Sequence, residues 1–351
     1  MRVGILTFHA ALNPGAFLQA LATTQTIRKL GHVPVVIDYM PRRLRPHPYR
    51  SFLSTSILRG GWSKCVDRLR LYRAFESAKA QLPLTPRIGR REALSRERFD
   101  AIVIGSDVVW NFRSKHFGRD GVYFGQGLNC GRLVAYAPSC GTCTLDDAIP
   151  PYVVEGLRRF HAVSVRDEMT RAIVGKAGGP DVPILPDPAF GLDVVGLGEK
   201  PDIKDYLLVY SYNPFQDSEI EQIRAFAADR GLRTVGVCYR QDWCDENRLT
   251  VSPFQWLGLI EAAAYVATGM FHGTVFSLKY ARKIAISMNR PVRSKIEPLL
   301  NGLGLTGCVM SAERPVKDIF DDTIDYESVR NESLPRLAGV GARWLEHALN
   351  G

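Results

Sequence analysis

Apolar segments typical of β-strands alternate with segments of helical periodicity along most of the chain. Residues 3–7 predict a first strand, 15–30 a helix that ends at Gly31, and 33–38 a second strand. This alternation favours parallel sheets with helices on both faces. Further strands are predicted at 101–104, 133–137, 162–165, 206–210, 234–238, 265–268 and 284–286, and further helices at 146–159, 217–230, 253–263, 275–280, 295–303 and 334–348.

The alternation occurs twice, on either side of a loop rich in Gly and Pro that ends near Pro188. A chain of 351 residues is about twice the usual single-domain length. We therefore predict an α/β protein with two Rossmann-like, doubly wound domains facing a cleft, residues 1–190 and 191–351. Basic helical stretches at 51–80 and a short helix at 89–97 form an insertion of the first domain, at about 41–98.

No apolar run approaches the roughly 18 residues that a membrane span needs. The N-terminal apolar run is too short for a signal peptide, so a cytoplasmic protein is expected. The seven cysteines are scattered and odd in number, unlike a secreted disulfide framework. Cys140 and Cys143 form a C-x-x-C pair, but acidic residues follow it, and Cys238 and Cys244 are spaced poorly for zinc. Neither redox chemistry nor a metal site is favoured.

The net charge of +9 is concentrated in residues 1–100, which hold 18 Lys and Arg against 6 Asp and Glu. This asymmetry favours an anionic partner: a membrane surface, a nucleic acid or an acidic glycan. A solvated helical surface is the alternative. Nucleic acid is disfavoured because the basic residues match no binding module. Residues 58–75 mix apolar and basic side chains like an interfacial helix, so an anionic membrane surface contacted through 42–98 is predicted.

Polar side chains follow two predicted strands of the first half. His9 and Asn13 follow the first strand, but no G-x-G-x-x-G or P-loop pattern accompanies them, which disfavours dinucleotide and nucleoside triphosphate binding. Asp107 follows Ser106 at the end of another strand. Either residue could cap a helix, or Asp107 could act as an acid, a base or a sugar-hydroxyl acceptor. Trp110 could stack on a sugar or fill the core.

Two further strands end at cationic or titratable groups. Arg166 directly follows an apolar strand, where its partner is either a carboxylate (Asp167, Glu168 or Asp187) or an anionic substrate. His272 lies between Gly269 and Gly273, before an apolar helix whose N-terminus could bind an anion. Capping of a buried turn is the alternative for His272. Together the four strand ends favour an inter-domain site for an anion and a polyol.

These segments, in this order, resemble the polysaccharide pyruvyl transferase family. The matching residues are 5–9 with Asn13, Gly15, Leu18 and Gln19; 99–111; 162–168; 186–188; 271–277; and 294–296. The resemblance implies a two-domain GT-B-like fold and transfer of the enolpyruvyl group of phosphoenolpyruvate onto two hydroxyls of one sugar, giving a pyruvate ketal and phosphate. It implies no cofactor and no metal.

By this resemblance Arg166 and His272 bind phosphoenolpyruvate, with Asp107 beside it. The chemistry requires a general acid, for which His272 or a nearby carboxylic acid is the candidate, and a base, for which Asp107 is the candidate. The predicted catalytic residues are thus His272 and Asp107, and the predicted substrate-binding residues are Arg166, Lys295, Arg293, Asn13, His9, Gly273 and Trp110. The first domain is the predicted acceptor side and the second the donor side.

The sequence departs from the family pattern at three positions. Met270 stands where some branches carry Arg, Val108 where Gln is common, and Cys140 where an aromatic residue is common. These departures concern the donor and the acceptor more than the fold. A glycosyltransferase that uses a nucleotide sugar is the alternative enzyme, and a surface-binding protein without activity is the alternative outside enzymes.

Overall fold

The structure, a computed structural model, describes residues 1–41, 56–114, 119–288 and 290–351. For 56–65 and 290–292 it describes the backbone alone. The described residues form two compact units. The first comprises 1–41, Lys79–Leu192 and Arg336–Gly351, and the second comprises the helix Ser56–Ala78 and Asp193–Pro335.

The first unit is built on a parallel five-stranded sheet in the order β2-β1-β3-β4-β5. Its strands are β1 (Arg2–Leu6), β2 (Val33–Val36), β3 (Arg98–Ile104), β4 (Asn129–Ala135) and β5 (Ala162–Val163). The inner strands become apolar and buried toward their carboxyl ends, from residue 3 in β1, 101 in β3 and 133 in β4, as expected for a parallel sheet covered on both faces.

The second unit repeats this design, with a parallel sheet in the order β10-β9-β6-β7-β8. Its strands are β6 (Tyr206–Tyr210), β7 (Arg233–Val237), β8 (Glu246–Arg248), β9 (Tyr265–Thr268) and β10 (Lys283–Ile286). All five residues of β6, the central strand, are buried.

Helices connect the strands. They are α1 (Pro14–Lys29), α2 (Ser56–Ala78), α3 (Pro151–Leu157), α4 (Glu168–Lys176), α5 (Asp217–Asp229), α6 (Pro253–Ala262), α7 (Phe271–Lys279), α8 (Arg290–Leu303), α9 (Val316–Asp321), α10 (Tyr326–Ser328) and α11 (Leu334–Asn350). A π-helical turn, Val329–Ser333, separates α10 from α11. Among the described residues, no helix is both long and apolar enough to cross a bilayer.

Local sequence signals explain where several helices begin. Asn13 caps α1 by accepting a hydrogen bond from Ala16 N, and Pro14 occupies the first turn, where a missing N–H has no cost. Ser252 and Gln255 form a reciprocal capping box at the start of α6. Gly31 follows α1 with a φ of +79°, a conformation that glycine adopts without strain.

The predicted strands are all present, but shorter elements were missed. β6 and β9 have the predicted bounds, whereas β8, α4 and α9 were not predicted. β8 is a three-residue polar strand, Glu-Asn-Arg, which shows no apolar alternation. The predicted helix at 89–97 is a 3-10 helix, Arg91–Arg96.

The units divide the chain differently from the predicted boundaries. Residues Arg336–Gly351 join the first unit because Trp344 stacks on Tyr136 at 6.1 Å and Arg132 donates to the carbonyl of Ala348. The helix α2 groups with the second unit, where it packs against α6. Within the predicted basic insertion at about 41–98, residues 42–55 and the side chains of 56–65 lie outside the described residues.

Candidate active site

The carboxyl ends of the parallel strands place several polar side chains along one edge of the first sheet. Thr7, after β1, donates a hydrogen bond from Oγ1 to the carbonyl of Ser106, after β3, at 3.1 Å. Gln19 of α1 donates to Thr7 Oγ1 at 2.7 Å. Ser106 Oγ in turn lies 3.1 Å from Asp187 Oδ2. These buried bonds fix the backbone at the end of β3.

Arg166, which leaves β5, forms a buried ion pair with Asp187. The distance between Nη1 and Oδ2 is 2.7 Å, and the two side chains are 6% and 0% exposed. Burial alone would lower the pKa of Arg166, but the carboxylates of Asp187 and Asp107 raise it, so the guanidinium stays charged. Asp187 is one of the carboxylate partners that the sequence analysis named as the alternative to an anionic substrate.

Asp107 is the more accessible carboxylate beside this guanidinium. Its side chain is 16% exposed, and its Oδ1 lies 3.8 Å from Arg166 Nη2. Its φ of +70° is a strained conformation for a residue with a Cβ, although aspartate tolerates it better than most. No helix begins at Ser106 or Asp107, so the capping alternative is wrong. A strained, half-buried carboxylate at a strand end can accept a proton or a hydroxyl hydrogen bond.

His9 lies inside the first unit rather than at its surface. It is 1% exposed; its Nε2 is 3.1 Å from Asp38 Oδ1, and its Nδ1 is 3.3 Å from the carbonyl of Thr7. Burial alone would raise the pKa of Asp38, but hydrogen bonds from His9 and Arg87 lower it. The adjoining cavity of about 30 Å³ has room for little more than a water molecule. The prediction that His9 binds substrate is therefore corrected: His9 is a buried partner of Asp38.

Trp110 fills the core of the first unit. It is 1% exposed, its Nε1 donates to the carbonyl of Tyr123 at 2.8 Å, and its ring stacks on Phe124 at 5.1 Å. A ring with both faces inside the protein cannot stack on a sugar, so the predicted sugar contact is wrong. Asn13 caps α1 as described above, and a substrate contact for Asn13 stays a prediction.

His272 is the second residue of α7 and is half-buried. Its ring centroid lies 5.3 Å from that of Phe271 and 6.5 Å from that of Phe276. Met270, at the N-cap position, makes no side-chain cap bond. The first turn of a helix carries partial positive charge and N–H groups without intrahelical partners. An imidazole in this turn is well placed to act beside a bound anion.

Gly273 lets α7 pack tightly against the second sheet. A Cβ at this position would lie 2.8 Å from Tyr210 Cδ1 and closer still to Thr268 Oγ1. The position therefore needs glycine for packing, and a substrate contact by Gly273 stays a prediction.

Arg293 and Lys295 lie two residues apart in α8, and residues at that spacing do not share a helix face. Arg293 is exposed and pairs with Glu297 at 3.8 Å, whereas Lys295 is half-buried. One anion is therefore expected to contact only one of them. Lys295 is the better candidate, because its half-buried side chain has less freedom to move than the exposed side chain of Arg293.

The structure adds two groups that the sequence analysis did not single out. Asp38 links His9 and Arg87 in the first unit. Tyr212, two residues after β6, is 71% exposed and packs edge-on against Tyr239 at 5.4 Å. β6 neighbours β9, so this ring stands near the strand that leads to His272. The signal for Tyr212 in the sequence is its position just beyond the apolar strand β6.

Cys140 and Cys143 are buried free thiols. Burial raises the pKa of both, and Cys143 Sγ lies 3.4 Å from Asn111 Oδ1. Among the residues described, no three His, Cys, Asp or Glu side chains are grouped as a metal site requires. Protonated, buried thiols are poor nucleophiles.

Comparisons with solved structures concern the fold of the chain. The putative UDP-N-acetylglucosamine 2-epimerase of Listeria monocytogenes is 10% identical, with a TM-score of 0.52 over 99% of this chain and 95% of that one. The UDP-GlcNAc 2-epimerase of Neisseria meningitidis, bound to UDP-GlcNAc, is 8% identical, with a TM-score of 0.51 over 99% of both chains. That of Methanocaldococcus jannaschii is 10% identical, with a TM-score of 0.52 over 100% of both.

These likenesses, together with the two parallel sheets, confirm the predicted GT-B-like α/β fold. Comparison with curated proteins yields no significant sequence match. The sequence profile of polysaccharide pyruvyl transferases, however, matches residues 13–283, which include Asp107, Arg166 and His272. This match spans most of the protein, and the chain belongs to the polysaccharide pyruvyl transferase family.

Proposed function

We propose that the protein transfers the enolpyruvyl group of phosphoenolpyruvate onto two hydroxyls of one sugar in a polysaccharide or lipid-linked glycan precursor. The products are a pyruvate ketal and inorganic phosphate. The family match supports a polysaccharide pyruvyl transferase. The observation that carries the finer proposal is the half-buried His272 in the first turn of α7, where the helix end favours a bound phosphate or carboxylate.

The reaction begins with a proton. His272 donates it to the methylene carbon of phosphoenolpyruvate, and the adjacent carbon becomes an oxocarbenium-like centre. The first sugar hydroxyl forms a C–O bond there and gives up its proton to a base, for which Asp107 is the candidate. The second hydroxyl then forms another C–O bond as the C–O bond to phosphate breaks, and its proton passes to the departing phosphate. The phosphate leaves with the bonding electron pair, and a cation such as Lys295 stabilises its charge.

Arg166 has a modified role in this proposal. The ion pair with Asp187 already occupies one side of its guanidinium, and Asp107 lies 3.8 Å from the other nitrogen. We therefore assign Arg166 mainly to positioning Asp107. A direct contact with phosphoenolpyruvate remains an expectation. The two roles are separable, since loss of positioning lowers kcat whereas loss of binding raises the KM for phosphoenolpyruvate.

Phosphate release from phosphoenolpyruvate in the presence of a glycan acceptor tests the function. His272→Gln and Asp107→Asn should each lower kcat by about 10²-fold or more, as expected for loss of an acid or a base. Lys317→Gln, at an exposed residue of α9 with no predicted role in substrate binding, is the control and should leave kcat within about twofold. Near-normal activity in either of the first two variants would reject the role assigned to that residue.

Ligand-dependent thermal stability separates this function from the glycosyltransferase alternative. A ligand present at 100 times its Kd stabilises the folded state by about 2.7 kcal/mol. Phosphoenolpyruvate should raise the melting temperature, whereas UDP and UDP-sugars should not. The opposite pattern would favour a nucleotide-sugar enzyme.

We also propose that the protein attaches to an anionic membrane surface, at the inner face of the plasma membrane, where lipid-linked acceptors are made. The support is α2, whose described part exposes Arg68, Arg70 and Arg73. Neutralising the three should abolish sedimentation with phosphatidylserine vesicles, because each basic residue near the surface contributes about 1 kcal/mol. The control neutralises three exposed basic residues elsewhere in the second unit: Lys204, Arg224 and Lys317. Equal sedimentation of both variants would reject this surface.

A further inference from the structure

The second unit contains a cavity of about 560 Å³ to which the proposed function assigns no role. It lies beside the segment 249–251 that leaves β8, with one face of α6, the loop 199–202 and Asp67 of α2 as its other walls. Its volume is in the range of sites that hold small molecules, about 300–1,000 Å³. It is far larger than the cavity at His9.

The charged side chains that line the cavity balance one another. Three are basic and three are acidic: Lys200, Arg240 and Arg248 against Asp67, Glu199 and Asp202. Arg248 is further neutralised by its ion pairs with Asp202 and with Glu246, the latter at 2.6 Å. A strongly anionic ligand such as phosphoenolpyruvate would meet carboxylates as well as cations and gain little net attraction.

The mixture suits hydroxyl groups instead. A sugar hydroxyl both donates and accepts hydrogen bonds, so it can bond to a carboxylate and to a cation in the same site. Thr250 adds a hydroxyl of its own, and Leu249, Val251 and Leu259 add apolar surface for the C–H face of a ring. A neutral saccharide matches every part of this lining.

The sheet order separates the β8 end of the cavity from the strand that leads to His272. β8 is separated from β9, the strand that leads to His272, by β6 and β7. Neighbouring strands lie about 4.8 Å apart, so the two strands are roughly 14 Å apart. A sugar held at the β8 end of the cavity is therefore distinct from a sugar beside His272.

We propose that this cavity is an acceptor subsite, which binds a neutral sugar of the glycan remote from the one that receives the ketal. The proposal rests on the proposed function and adds to it that the acceptor is an oligosaccharide or polymer. It also assigns part of acceptor recognition to the second unit, whereas the sequence analysis expected the acceptor side in the first domain.

Two substitutions test the subsite. Thr250→Trp fills the cavity, and Lys200→Gln replaces the ammonium donor by a shorter, uncharged amide. Lys204→Gln is the matched control, an exposed lysine of the same loop that does not line the cavity. Loss of one or two hydrogen bonds should raise the KM for an oligosaccharide acceptor about three- to tenfold. The KM for phosphoenolpyruvate and the melting temperature should stay at wild-type values, as should all parameters of the control.

Direct binding separates failure of the subsite from failure of the proposed function. Saturation-transfer NMR with neutral di- to tetrasaccharides of hexoses and N-acetylhexosamines needs no turnover. Binding that Thr250→Trp removes and Lys204→Gln retains would support the subsite, even in a protein that releases no phosphate. Absence of binding across these saccharides, or binding unaffected by Thr250→Trp, would overturn it. A rise in the KM for phosphoenolpyruvate in Thr250→Trp would also overturn it, because the cavity would then hold the donor.

Discussion

The buried pair between Arg166 and Asp187 makes a quantitative prediction about the first unit. Asp187→Asn keeps the side-chain shape and the acceptor for Ala189 N, but it removes the negative charge 2.7 Å from the guanidinium. Removing one partner of a buried pair costs about 3–5 kcal/mol. Asp107 remains at 3.8 Å and compensates in part, so we expect the lower end, about 3 kcal/mol.

Amide hydrogen exchange measures this loss in the first unit itself. A cost of about 3 kcal/mol should accelerate exchange through global opening at β3 and β4 by about two orders of magnitude. Exchange at β6 and β9, in the second unit, reports whether the effect is confined to the first.

The chain supplies a control pair of the same chemistry. Arg171 and Asp181 lie 2.8 Å apart, but on the surface, with side chains 43% and 80% exposed. Asp181→Asn should leave exchange at β3 and β4 unchanged, because exposed pairs contribute little. Equal changes in the exchange rates at β3 and β4 for Asp181→Asn and Asp187→Asn would show that burial does not make the Arg166 pair strong.

Three further predictions concern pH, packing and thiols. In the folded protein the pKa of Asp38 lies below its ordinary value of 3.8, so the ionised Asp38 stabilises the fold above pH 3.8. This stability is lost as the pH falls, and unfolding measured at decreasing pH should show a larger loss of stability for the wild type than for Asp38→Asn. Gly273→Ala should cost about 1–3 kcal/mol in urea unfolding through overpacking, whereas Gly175→Ala, with open space around its Cβ, should be neutral or stabilising. Peptide mapping should find Cys140 and Cys143 alkylated by iodoacetamide at pH 8 much more slowly in the folded protein than in urea; equal rates would contradict their burial.

The sequence was sufficient for the fold because its strongest signal is local. β6 is an apolar run between Asp205 and Ser211, β9 is an apolar run that ends before Gly269, and the limits of both were predicted to the residue. β8 was missed because a three-residue edge strand is held by its neighbour β7 rather than by its own composition. The position of Arg336–Gly351 depends on a contact with Tyr136, some 200 residues away in sequence, which periodicity does not encode.

The candidate site was predicted less completely. Strand ends correctly indicated where polar groups gather, as the contacts among Ser106, Asp107 and Arg166 show. Whether a side chain at such an end faces solvent depends on residues distant in sequence. Phe124 stacks on Trp110, and Asp38 forms a hydrogen bond with His9. Both Trp110 and His9 are therefore buried, although the sequence assigned both to substrate binding.

The return of Arg336–Gly351 to the first unit has a consequence for synthesis. The ribosome completes Lys79–Leu192 long before the helix that covers Tyr136 emerges, so the first unit cannot finish folding during translation of its own strands. Gly341 sits against the Tyr136 hydroxyl, where a Cβ would collide with it. In a nascent chain that ends before Gly341, the side chain of Tyr136 would therefore be exposed to solvent. Exposed aromatic side chains of this kind promote aggregation and are bound by chaperones.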